Sequence, residues 1–244
     1  KKLAAGAEAI VLDVKVGDGA FMKSIDEARA LARAMIALGE AAGREVVCVL
    51  TDMDQPLGRA VGNAIELREA IATLRGEGPP DFTELVLDAC ARLLALSDLG
   101  VDEVEGRRRA EAAIADGSAI GLYERWIRAQ GGDPDEDALP RAAVVRELGA
   151  PRAGYVTRLG AVQVGQAALH LGAGRQTKSD EIDHAVGVYC LAKRGDRVER
   201  GQPLAEIHAR TDADAATAEG ELLAAFELAD DPPAEIPLLL DVVA

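Results

Sequence analysis

Aromatic residues are scarce in this sequence: three Phe, three Tyr and one Trp in 244 residues. A core must therefore be assembled from Ala, Leu, Val and Ile, within a hydrophobic content of 49% that excludes a disordered chain. Cysteine is scarce too. Cys48, Cys90 and Cys190 stand far apart with no paired spacing, so zinc and dithiol redox chemistry are excluded as readings. Their odd number without a pattern fits a reducing cytoplasm. No apolar run approaches the length of a membrane span, and the N-terminus lacks signal-peptide architecture. Positive charge is outnumbered, with 27 Lys and Arg against 42 Asp and Glu and a net charge of −15. That balance argues against nucleic acid as a partner. It serves solubility and leaves room for one local cationic pocket for a small anion. The chain opens on Lys1 rather than Met, in what reads as a helix end, and is expected to begin inside a longer protein.

What is there is patterned. Residues 9–16 read as a buried strand, and a glycine turn follows at Gly17-Asp18-Gly19. Ser24 and Glu27 have capping-box spacing. Behind them Ala28, Leu31, Ala32, Met35, Leu38 and Ala42 recur at helical spacing until Gly43 stops the helix. Residues 45–50 form a second strand, and Asn63 with Glu66 marks a helix to about residue 75. This order implies a right-handed crossover and a parallel pair, with ligands at the strands' C-terminal ends, in the loops 15–23 and 51–62. Asp81 with Glu84 opens a helix to about Ser97. Helices at about 102–115 and 118–130 follow, the latter capped by Ser118.

Residues 131–140 are a polar connection containing Pro and Gly, and a boundary is expected just after it. From Val144 the texture changes to short β segments: 154–156, 162–171 and 185–192. The run from Lys193 to His208 resembles half of a biotinyl or lipoyl hammerhead, without the lysine that carries a cofactor there. A helix at about 212–228 precedes a Pro-broken tail. The fold class expected is α/β, a central mixed or parallel sheet flanked by helices. A small α+β barrel-sandwich or hammerhead-like C-terminal subdomain completes it.

Several blocks, in order, resemble the thymidine/pyrimidine-nucleoside phosphorylase family. They are Lys1-Lys2-Leu3-Ala4-Ala5-Gly6, the run from Leu12 to Met22, the run from Leu50 to Gly58 leading into Val61-Gly62-Asn63-Ala64, then Ala129-Gln130-Gly131-Gly132, and Leu171 to Arg175. The resemblance divides the chain into residues 1–7, the end of a helical-domain segment; residues 8–143, part of an α/β domain; and residues 144–244, the family's C-terminal subdomain. It implies phosphorolysis of a pyrimidine nucleoside to free base and pentose 1-phosphate. It also implies inorganic phosphate as co-substrate, no organic cofactor, a cytoplasmic homodimer, and neither nucleic acid nor membrane as partner. The family's phosphate loop, Lys-His-Ser-Thr-Gly-Gly, does not occur in these residues. No catalytic residue is therefore assigned within them, and the 244 residues alone are expected to be inactive.

By the same resemblance Lys1 bonds the pyrimidine ring and Phe21 packs against the base; read from the residues alone, Phe21 packs equally well on the helix that follows. Leu57, Ala60 and Glu69 match a monovalent-cation site, usually potassium, whose hard-oxygen donors suit such an ion. Asp13 and Lys15 share one face of their strand and either pair with each other or point a charge at the site. Asp18 serves the turn. Gly172, Gly174 and Arg175 form either a cleft-facing loop or a plain turn, and His170, His184 and His208 show no metal spacing. The alternatives are a nucleoside-monophosphate phosphorylase and a folded scaffold without activity. Anthranilate phosphoribosyltransferase shares the fold but lacks the hammerhead subdomain that residues 144–208 resemble.

Overall fold

In the computed structural model, which describes residues 2–244, the apolar run Ala9–Val16 is strand β1. Helix α1 (Ile25–Ala41) returns the chain to β2 (Glu45–Asp52), which pairs in parallel with β1 from Ala9 against Glu45 to Val16 against Asp52. The capping box forms: the Ser24 hydroxyl accepts from the Glu27 amide, and the Glu27 carboxylate accepts from the Ser24 amide. Ala28 and Ala32 are fully buried and bring α1 close to the sheet. Gly39 brings it closer still, since a Cβ there would lie 2.2 Å from Val46 Cγ2.

Beyond β2 the chain forms β3 (Ala60–Gly62) and four helices: α2 (Ala64–Leu74), α3 (Pro80–Ala95), α4 (Glu103–Ala115) and α5 (Ser118–Ala129). Three expected caps fail, the one at Asp81 because α3 starts a residue earlier, behind Pro79. Asn63 makes no side-chain cap, because its amide nitrogen donates to the Ala173 carbonyl instead. The residue ahead of α5 is Gly117 in a left-handed conformation, φ 77°, so Ser118 lies inside the helix.

A 3₁₀ turn at Glu136–Ala138 leads to β4 (Val144–Gly149) and β5 (Gly154–Leu159). Next come α6 (Ala161–Ala168), β6 (Gly187–Cys190), β7 (Arg197–Val198), β8 (Pro203–Ala209), α7 (Asp212–Leu223), β9 (Phe226–Ala229) and β10 (Leu239–Val243). The expected β segment at 162–171 is thus helical, α6 continued by a π-helical turn, Leu169–Ala173. The buried positions are Ala161, Val164, Ala167, Ala168 and Leu171, which recur in steps of three and four along one face, as in a helix and not a strand. The last helix ends at Leu223 rather than near 228, because Phe226–Ala229 pairs with β5.

The strands form three sheets, ordered β1-β2-β10, β3-β6-β8-β4 and β7-β5-β9. The first is mixed, with β10 antiparallel to β2. A large apolar core fills the space among β4, β5, β6, β8, α6 and α7, and a smaller one lies between α1 and the first sheet. Two segments cross between these bodies: β3 pairs with β6, and β10 pairs with β2.

Candidate functional site

A cavity of about 950 Å³ opens at the C-terminal ends of β1 and β2, lined by Lys15, Met53, Leu57, Glu69, Phe82 and His184 among others. The loop 52–58 shapes it. Its first residues are tied to the turn after β1: the Met53 amide donates to the Val16 carbonyl (2.7 Å), the Gly19 amide to the Met53 carbonyl (2.8 Å), and the Asp18 amide to Asp54 Oδ1 (2.9 Å). Asp18 does more than serve its turn, since its Oδ2 accepts from the Val162 amide at 3.1 Å.

The other side of the loop is held by two cations from the β6–β7 connection. The Arg194 guanidinium pairs with Asp52 at 2.7 Å, both side chains nearly buried, and the Arg194 amide donates to Gln55 Oε1 at 3.0 Å. The Lys193 ammonium donates to the carbonyls of Pro56 and Gly58 and pairs with Asp81 Oδ2 at 3.0 Å. Asp81 also accepts from the Gly58 amide at 3.2 Å, so it braces the loop rather than capping α3. Gly58 has φ 64°, and a Cβ there would sit 2.2 Å from Glu69 Oε1. Only glycine fits that approach.

Glu69, on α2, is buried at 8% exposure and accepts from the Arg59 and Ala60 amides at 2.9 and 3.1 Å. Burial pushes its carboxyl pKa up, and these two hydrogen bonds oppose the shift. The Lys193 ammonium acts on it from a distance but is ion-paired with Asp81. A buried carboxylate in that position favours a hard cation beside it. Leu57, Ala60 and Glu69 all line the cavity.

Asp13 and Lys15 pair with each other. The Lys15 ammonium lies 2.5 Å from Asp13 Oδ2 and donates to Thr51 Oγ1 at 3.1 Å, while Thr51 donates to Asp13 Oδ1 at 2.5 Å. Lys15 nonetheless lines the cavity. Phe21 projects from its turn at 98% exposure and does not pack on α1. Lys1 lies outside the described residues. Gly172 takes φ 108° in the π-helical turn, and exposed Arg175 bonds the Asp180 carbonyl within its own loop. His170 pairs with Glu221 and His208 with Glu206. The three cysteines are free, and burial pushes the Cys190 thiol to about 12, which keeps it protonated and unreactive.

The residues absent from the sequence expectation are Lys193, Arg194 and Gln55. The run 193–208 carries a fold signal, and nothing in it points to a loop 137 positions earlier.

Residues 1–120 match the glycosyl transferase family, a/b domain, and residues 155–229 match the pyrimidine nucleoside phosphorylase C-terminal domain. The chain is 47% identical over 212 residues to a pyrimidine-nucleoside phosphorylase of Geobacillus stearothermophilus, covering 85% of the chain and 49% of that protein. It is 48% identical over 219 residues to one of Staphylococcus aureus (strain USA300), covering 88% of the chain and 51% of that protein. The chain thus spans about half the length of these relatives.

Proposed function

Because the chain belongs to the pyrimidine-nucleoside phosphorylase family, we propose that the protein carrying it cleaves a pyrimidine nucleoside with inorganic phosphate. The products are the free base and ribose or deoxyribose 1-phosphate. The observation that carries this reading is the identity of 47–48% to proteins of that name, spread over 85–88% of the chain.

The chemistry is glycosyl transfer through an oxocarbenium-like state. It requires a held nucleophile, stabilisation of the departing base and exclusion of water. In this reading Lys1 donates to the pyrimidine ring, where a cation lowers the cost of charge on the leaving base. Phe21, free of core contacts, offers its ring to the base. The carbonyls of Leu57 and Ala60 with the Glu69 carboxylate hold a potassium ion, a role that the burial of Glu69 supports. A cytoplasmic homodimer belongs to the same reading.

The test is release of free base from thymidine and uridine by the full-length protein. Release that depends on phosphate is expected, and Lys1→Ala should lower catalytic efficiency on the order of a hundredfold. No release from either nucleoside would overturn the reading. The 244-residue chain by itself should release none, since the Lys-His-Ser-Thr-Gly-Gly loop is not in it.

A further inference from the structure

We propose that Lys15 is a substrate-binding residue that contacts the phosphate oxyanion of the reaction, either as inorganic phosphate or as the sugar 1-phosphate. The inference rests on the phosphorolytic reading and adds a residue to it. Three observations lead there. Lys15 stands one residue from the C-terminal end of β1, and ligands gather at the C-terminal ends of parallel strands. Among the described residues that line the 950 Å³ cavity, it is the one Lys or Arg. Its ammonium is held in place rather than free to wander: Asp13 and Thr51 engage two of its three donors.

The arrangement around it is built as a relay of fixed polarity. Thr51 donates to Asp13 and can then only accept from Lys15, so its lone pair faces the ammonium. Thr51 is fully buried on β2, in register with Lys15 across the parallel pair, so this support is rigid. One ammonium donor is left for a ligand. The two carboxylates on the cavity wall do not compete for it. Glu66 accepts from the Gly62 amide at 2.8 Å, and Glu69 accepts from the Arg59 and Ala60 amides. An oxyanion entering the cavity therefore meets one pre-positioned cation. Lysine, a compact point charge, suits a phosphate oxygen.

The experiment is calorimetric titration of the full-length protein, wild type and Lys15→Met, with inorganic phosphate and separately with ribose 1-phosphate. Loss of one charge-assisted hydrogen bond should weaken binding of at least one of them roughly ten- to a hundredfold. In steady-state assays the KM for phosphate should rise more than the KM for nucleoside, which a general loss of fold would not produce. The double variant Asp13→Asn/Lys15→Met leaves no unpaired carboxylate and covers the case in which the single variant fails to fold. A folded variant that binds both ligands as tightly as wild type overturns the proposal, as does a wild type that binds neither. A wild type that binds phosphate through Lys15 but cleaves no nucleoside overturns the phosphorylase reading and leaves this one standing.

Discussion

Glu69 concentrates the energetics of the site in one side chain. Its carboxyl is buried, and burial raises its pKa above the value in the unfolded chain. A raised carboxyl pKa means that the folded state holds its proton more tightly. The stability this contributes is complete below the unfolded pKa and is lost as pH rises through the folded one. Ionisation of Glu69 in the folded state is thus a cost that a bound cation would offset. Wild type should therefore lose stability relative to Glu69→Gln as pH rises from about 4 to 7 in potassium-free buffer. Adding potassium should narrow that difference. Melting temperatures of both proteins across this range check it, and parallel curves with no potassium effect would count against a cation at Glu69.

At the scale of elements, the loop 52–58 matters more than any helix. It has few partners within its own chain neighbourhood and is held by β1's turn on one side and by Lys193 and Arg194 on the other. Lys193→Met strips the cation from Asp81 and from two carbonyls at a site only 15% exposed. Urea unfolding should show a loss of about 1–3 kcal/mol, the cost of leaving such groups unsatisfied. Hydrogen exchange at the Gly58 and Arg59 amides should quicken, while the amides of α4 stay as they were. An unchanged unfolding midpoint would mean the clamp contributes nothing. Residues 162–171 show why composition alone does not separate a helix from a strand. Val162, Val164 and the alanines around them suit either structure by composition, and the three-and-four steps of buried Ala161, Val164, Ala167, Ala168 and Leu171 are what decide.

For the whole molecule, the crossing strands are the feature with consequences. β10 comes from the far end of the chain, pairs with β2 from Leu239 against Thr51 to Val243 against Cys48, and ties to α1 through an Arg29–Asp241 ion pair of 2.7 Å. Deleting residues 231–244 would leave β2 as an open edge rich in Val and Leu, a template for pairing with other chains. The truncated chain should melt earlier and elute as larger species in size-exclusion chromatography. A monomeric product with an unchanged melting temperature would show that the tail is dispensable.

Local chemistry was legible in the residues themselves. The strand–helix–strand unit, its capping box, the glycine turn and the change of texture after residue 143 follow from periodicity and from Gly, Ser and Pro positions, which act within a few residues. The family blocks pointed to Phe21, Leu57, Ala60 and Glu69; Phe21 stands exposed in the turn after β1, and the other three line the cavity. What only the tertiary structure decided are contacts between residues far apart in the chain: Lys193 on the 56–58 carbonyls, Thr51 between Asp13 and Lys15, β10 on β2 and β3 on β6. A hydrogen bond over 36 or 137 positions leaves no local periodicity behind it. Such a bond is decided when the whole chain packs, by which buried donors and acceptors must find partners.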